Sequence, residues 1–151
     1  MEKIVIQSGK KVYQIVDERD KELGVIEIDP ADIGIVKRAE DTKKRIMAQI
    51  DIMHGIDPKA KDFGDKIAQV DVAIKSAMND MFNYDISSVV FGKTHALSTH
   101  NGVTFVERFL DAVTPVIEQI FDSESVAITN RAAKYTKQYH NNNRRKKRYH
   151  K

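Results

Sequence analysis

A chain of 151 residues without cysteine excludes a disulfide framework, a thiol nucleophile and a thiolate metal site. No apolar run approaches the roughly 20 residues needed to span a bilayer, and Met1–Gln7 lacks the apolar core of a signal peptide, so a cytoplasmic protein with no membrane association is expected. The net charge of +3 hides an asymmetry: nine of the 25 Lys and Arg fall at or after Arg131, where no acid occurs, and the first 130 residues hold 16 basic against 22 acidic residues.

In chain order, residues 3–28 read as an antiparallel β-hairpin or a three-stranded meander. Lys3–Gln7 and Lys11–Val16 are rich in β-branched residues, Leu23–Ile28 resumes the pattern, and the wholly charged Asp17–Glu22 connects them. Asp29-Pro30-Ala31-Asp32 predicts a helix start, with Asp29 as N-cap, Pro30 in the first turn and Asp32 favoured by the dipole. The helix is expected over 30–54, with an apolar stripe of Ile33, Val36, Ala39, Met47, Ile50 and Met53. Asp57-Pro58 repeats the start for a helix over 58–83, where Phe63, Ile67, Val70, Ile74, Ala77 and Met81 form the cleanest stripe in the chain. Met81 is expected in the core; Met47 and Met53 fit either core or an adaptable surface.

Ile86–Phe91 reads either as a short helix closed by Gly92 or as a strand, and Lys93–Asn101 as a loop. A kinked helix is expected over 102–121, because Pro115 removes the bond to Asp111. A weak helix is expected over 125–139 after a break at Asp122–Ser125, and a disordered basic tail over 141–151. The fold class is therefore α+β, mostly α: a β-hairpin or meander followed by a bundle of three to four helices, in a single domain over 1–140.

Catalytic constellations are sparse. His95 and His100 share a loop with Thr94, Ser98 and Thr99, but no carboxylate or thiolate lies between Lys93 and Asn101 to complete a metal or acid–base site, so an ordinary polar loop is the better reading. The carboxylate pairs are accounted for by capping or solvation, and the seven single glycines form no phosphate loop. No cofactor is implied and no enzyme is expected. The overt electrostatic signal is Arg144, Arg145, Lys146, Lys147 and Arg148, a candidate contact for nucleic acid or for an acidic partner.

A hairpin leading into Ile26-Glu27-Ile28-Asp29-Pro30-Ala31-Asp32-Ile33 and then Val36-Lys37-Arg38 resembles the strand–DPxD–helix–Arg element of tail assembly chaperones from long-tailed phages of Gram-positive hosts. Val90-Phe91-Gly92, His100-Asn101-Gly102, Phe105 to Phe109-Leu110 and Pro115-Val116-Ile117 continue the similarity, which covers roughly residues 10–121. The motif positions are Asp29, Pro30, Asp32, Arg38, Phe91, Gly92, Gly102, Phe109 and Pro115. The resemblance implies a protein of the bacterial host cytoplasm that coats the tape measure protein and recruits major tail protein, with self-association a further expectation. It also implies that Lys146-Lys147 could sit at a frameshift site giving a longer form. Two other readings stay open: a tail completion or head–tail connector protein, and a nucleic-acid-binding protein acting through the basic tail.

Overall fold

The computed structural model describes residues 1–149, with side chains described for residues 1–134, 136 and 137. The elements are β1 (Lys11–Val16), β2 (Glu22–Ile28), α1 (Ile35–His54), α2 (Phe63–Phe82), α3 (Ile86–Val90), β3 (Thr99–His100), β4 (Val103–Thr104) and α4 (Phe105–Tyr149). The mostly helical α+β class is as expected from the sequence. In place of one domain over 1–140, the chain divides into two compact units, Met1–Thr114 and Pro115–Lys151.

In the first unit, β1 and β2 pair antiparallel from Lys11↔Ile28 to Val16↔Glu22, with an irregularity at Ile15/Val16. Asp17 organises the turn: its Oδ1 accepts from the amides of Arg19 and Lys21 at 2.8 and 3.0 Å. The Lys21 amide is the main reason its carboxyl lies below the ordinary carboxylate range. Ile26 and Ile28 are buried on the inner face. Gly24 also lies on that face, where an added Cβ would stand 2.4 Å from Val89 Cγ1, so β2 and α3 approach at a distance only glycine permits. Among the described residues the sheet stops at two strands. Of the two expected alternatives the hairpin is the one that forms, without the third strand: Lys3–Gln7 is not a strand here, and Ile4, Val5 and Ile6 are exposed. Propensity alone does not hold a strand, because its backbone groups need a partner.

Both Asp-Pro starts are displaced by the same amount. Asp29 Oδ1 accepts from the Ala31 amide at 2.9 Å, and Asp57 Oδ1 accepts from Lys59 at 2.9 Å. A turn follows each: Asp32 N–H to Asp29 O and then Ile35 N–H to Asp32 O, mirrored by Ala60 to Asp57 and Phe63 to Ala60. The regular helices begin at Ile35 and Phe63. The aspartates cap isolated turns, in which short side chains compete for nearby amides, so the expected starts at 30 and 58 move forward.

Helices α1 and α2 form an antiparallel pair. The Thr42 hydroxyl donates to Ala77 O at 3.3 Å, and Arg45 Nη1 lies 2.6 Å from Asp80 Oδ2. The α2 stripe is buried as expected from Val70 through Met81, joined by Met78 and Phe82. The α1 stripe is corrected: its buried residues are Ile35, Thr42 and Ile46, whereas Ile33 and Val36 are exposed, and Met47, which fitted either core or surface, is exposed too. A polar threonine takes a core position because its hydroxyl finds a carbonyl, which hydrophobic periodicity cannot signal.

Residues 86–90 resolve as a helix whose N-cap is Asp85. In the expected loop, β3 and β4 pair around Asn101-Gly102, both with positive φ (52° and 80°). This is the dipeptide suited to a tight hairpin. Thr104 then caps α4: its Oγ1 accepts from Glu107 N–H at 3.3 Å and donates to Glu107 Oε1 at 2.9 Å, a Thr-x-x-Glu capping arrangement. The expected start at 102 moves to Phe105.

Two further expectations are corrected in α4. The helix is continuous through Asp122–Ser125, where a break was expected, and it passes through 125–139 without a new start. It also continues over 141–149, where disorder was expected, while residues 150–151 lie outside the described residues. Ser and Asp are poor helix formers but cost only tenths of a kcal/mol each, which does not stop a helix already nucleated on both sides. Pro115 sits inside the helix, at the first position of the second compact unit.

Candidate functional site

The best-defined side-chain constellation of the first unit surrounds Arg38. Its Nη1 donates to Asp32 Oδ1 at 3.0 Å, its Nη2 donates to Asp32 Oδ2, and its Nε donates to Met81 O at 2.9 Å. A planar guanidinium fork fits a carboxylate in two parallel bonds and leaves Nε for a third acceptor. That acceptor is a carbonyl in the last turn of α2, where the helix dipole favours a cation. The two side chains are about one-quarter exposed. Arg38 therefore ties the turn before α1 to the end of α2, which closes with Asn83 in the left-handed conformation.

Beside this clamp, Tyr84 joins the loop after α2 to β2. Its hydroxyl accepts from Glu27 N–H at 3.0 Å and lies 3.4 Å from Glu27 O. Burial pushes the phenol above its ordinary pKa. Asp85 collects Ser87 Oγ and Asn79 Nδ2 on Oδ1, both at 3.1 Å, and Ser88 Oγ on Oδ2 at 2.6 Å. The Ser88 hydroxyl bond is the first reason that carboxyl is held below the usual range, with Ser87 next. A cleft of about 470 Å³ opens between these groups, lined by Lys10, Glu27, Asp29, Asp32, Phe82 and Tyr84 among others. Asp32 already has its cation and Tyr84 its backbone partners, so this cleft is a joint between elements.

Of the positions that carry the resemblance, Asp29 and Asp32 line this cleft, Arg38 is bound to Asp32, and Pro30 is buried. Phe91 and Phe109 meet in an aromatic cluster, with ring centroids 6.4 Å apart, and Phe91–Phe105 is closer at 5.0 Å. Gly92 is left-handed after α3, and Gly102 turns the β3–β4 hairpin. Pro115 lies inside α4, as the first residue of the second unit. The side chains of Arg144, Arg145, Lys146, Lys147 and Arg148 lie outside the described residues.

The two histidines do not converge on a ligand. His95 Nε2 lies 3.0 Å from Ile67 O, and its Nδ1 accepts from Leu97 N–H at 3.0 Å. Those partners suit the neutral Nε2–H tautomer, with both ring nitrogens used. Asp71 is occupied too, accepting from Ala96 N–H at 2.7 Å and pairing with Lys75 at 2.9 Å. His100 is exposed beside Asn101. Among the described residues no group of three or more His, Asp and Glu is placed to hold a metal ion, and no helix is long and apolar enough to cross a membrane.

A second cleft, of about 540 Å³, lies where the end of α1 meets the first half of α2. Ile52, Ile56, Val70 and Ala73 supply apolar surface, and Gln49, Asp51, Lys66 and Gln69 surround it. Ile52 is 53% exposed and Met47, one helical turn and a half away, 57%. The stripe read from the α1 sequence includes Ile50 and Met53 but leaves Ile52 out, in keeping with its exposure.

No family model matches the chain, and no curated protein or solved structure does either.

Proposed function

We propose that this chain is a non-enzymatic binding protein that serves as a tail assembly chaperone of a long-tailed phage, covering the tape measure protein and recruiting major tail protein in the bacterial host cytoplasm. The observation that carries the reading is the α1–α2 pair. Its core is complete on one side, yet Val36, Met47, Ile52 and Val72 remain more than half exposed on its outer surfaces. The second cleft adds an apolar floor with a polar rim, the surface an amphipathic helix fits. A tape measure protein presents long amphipathic helices before the tube encloses them, and many weak grips of this kind give cover that later subunits displace.

Support also comes from the motif positions that carry the resemblance. The Asp32–Arg38 pair and the Phe91/Phe109 cluster are structural in this chain, which is consistent with motifs that mark a shared scaffold.

The test is co-expression with tape measure fragments. Capture of a fragment is expected, and Met47→Asp together with Ile52→Asp should weaken it by about tenfold or more, as loss of apolar anchors does. No capture of any fragment, with the protein instead present in purified virions, would replace this reading with a structural one. Salt-sensitive binding to RNA or DNA alone would replace it with a nucleic-acid role.

A further inference from the structure

The two edges of the β1–β2 sheet are unequal. On β2, the Tyr84 hydroxyl takes Glu27 N–H and sits against Glu27 O, the two groups an added strand would use, and Val89 crowds Gly24 beside it. That edge is closed. On β1 the geometry is the reverse. Because Glu27 turns its amide away from β1, its partner Val12 turns its own N–H and C=O away from β2, and Gln14 does so by alternation. Among the described residues no strand takes those groups.

The chain carries a strand-like segment with no partner. Ile4, Val5 and Ile6 are 94%, 85% and 85% exposed. Apolar β-branched residues left in water next to an open edge are what folded chains normally avoid. The hairpin's outward face has a matching deficit, since Val12, Val16, Leu23 and Val25 are all exposed.

We propose that Lys3–Gln7 adds as a third strand to the β1 edge of a second copy of this chain, and that the two copies exchange arms reciprocally about a two-fold axis. Five arm residues suit the six of β1. Ile4 and Ile6 fall on one face of the arm, and a register that sets them beside Val12 and Gln14 lays both over the outward apolar face. Pairing with the chain's own β1 would need a reversal through Ser8-Gly9-Lys10. In three-residue hairpin loops the left-handed residue comes last, whereas here it is Gly9, in the middle, with φ 68°. Pairing with another copy requires no such reversal. This inference does not depend on the proposed function.

Sedimentation equilibrium of the full chain tests it, together with amide exchange at residues 4–6. A species of twice the chain mass is expected, and protection of those amides should rise with protein concentration. Ile4→Asp with Ile6→Asp, outside the folded elements, should raise the dimer dissociation constant by about tenfold or more. Gln14→Pro should do the same, because it removes the outward N–H while leaving the bonds to β2. A dimer that survives both variants would overturn the proposal, placing the interface elsewhere. So would a monomer, whether its arm amides exchange freely or are protected at every concentration, the latter marking pairing within one chain.

Discussion

Asp29-Pro30 and Asp57-Pro58 begin alike and end differently. Each aspartate accepts from the amide two residues on, and each is followed by two successive turn bonds before its helix. After the first, Asp32 meets Arg38, which also reaches Met81 O at the far end of α2. After the second, Ala60 stands where Asp32 does, and the acid nearby is the N-cap Asp62, paired with Lys66 in the first turn of α2, both about half exposed. One turn is fastened across the fold and the other only to itself. The same local code thus specifies the same backbone, while its energetic weight depends on what stands opposite.

That contrast is open to measurement, and the largest effect should come from its centre. Arg38→Ala should cost about 2–3 kcal/mol, since it leaves a partly buried carboxylate and a helix-terminal carbonyl without their donor. Lys66→Ala should cost less than about 0.5 kcal/mol, in line with an exposed pair. Urea denaturation of the two variants checks both, and equal losses would erase the distinction drawn between the turns.

Gly24→Ala comes next. The Val89 side chain must move to admit a methyl group, at about 1–3 kcal/mol, with the loss read in the same denaturation curves. Tyr84→Phe should cost about 1 kcal/mol by leaving the Glu27 amide without its phenol, and should speed exchange of that amide specifically.

The smallest effect concerns pH. The Asp17 and Asp85 carboxyls are lowered in the folded state, so the stability they confer is fully present above the unfolded carboxylate value, about 3.9. It is lost as pH falls through the lower folded values. Asp85→Asn should therefore flatten the acid limb of the stability profile. An acid limb identical to the parent's would show that the serine hydroxyls around Asp85 do not hold the charged form preferentially.

How far the candidate surfaces could be read in advance differs by element. The α2 stripe was plain, because Val70, Ile74, Ala77 and Met81 follow the helical period without interruption and all are buried. The α1 face was read one position off. Thr42 is buried and hydrogen bonded to Ala77 O, while Val36 and Met47 face out. Apolar counting assigns the valine to the core and leaves the methionine open to core or surface, and only a partner helix with a carbonyl to offer settles both. The Asn101-Gly102 hairpin and the Thr104/Glu107 cap were legible and were missed; both are short-range signals carried by residues whose chemistry alone identifies them.

The amino-acid order alone determined the mostly helical α+β class, the strands β1 and β2, the α2 stripe and the absence of thiol chemistry, since each follows from composition or from neighbours a few residues apart. Tertiary structure decided which edge of the hairpin is closed, which face of α1 is buried, that His95 spends both ring nitrogens on backbone groups, and that α4 runs unbroken through Asp122–Ser125. Hydrogen bonds such as Tyr84 to Glu27 and Arg38 to Met81 join residues 57 and 43 positions apart. Local pattern carries no information about which donors and acceptors the folded chain will bring within 3 Å of each other.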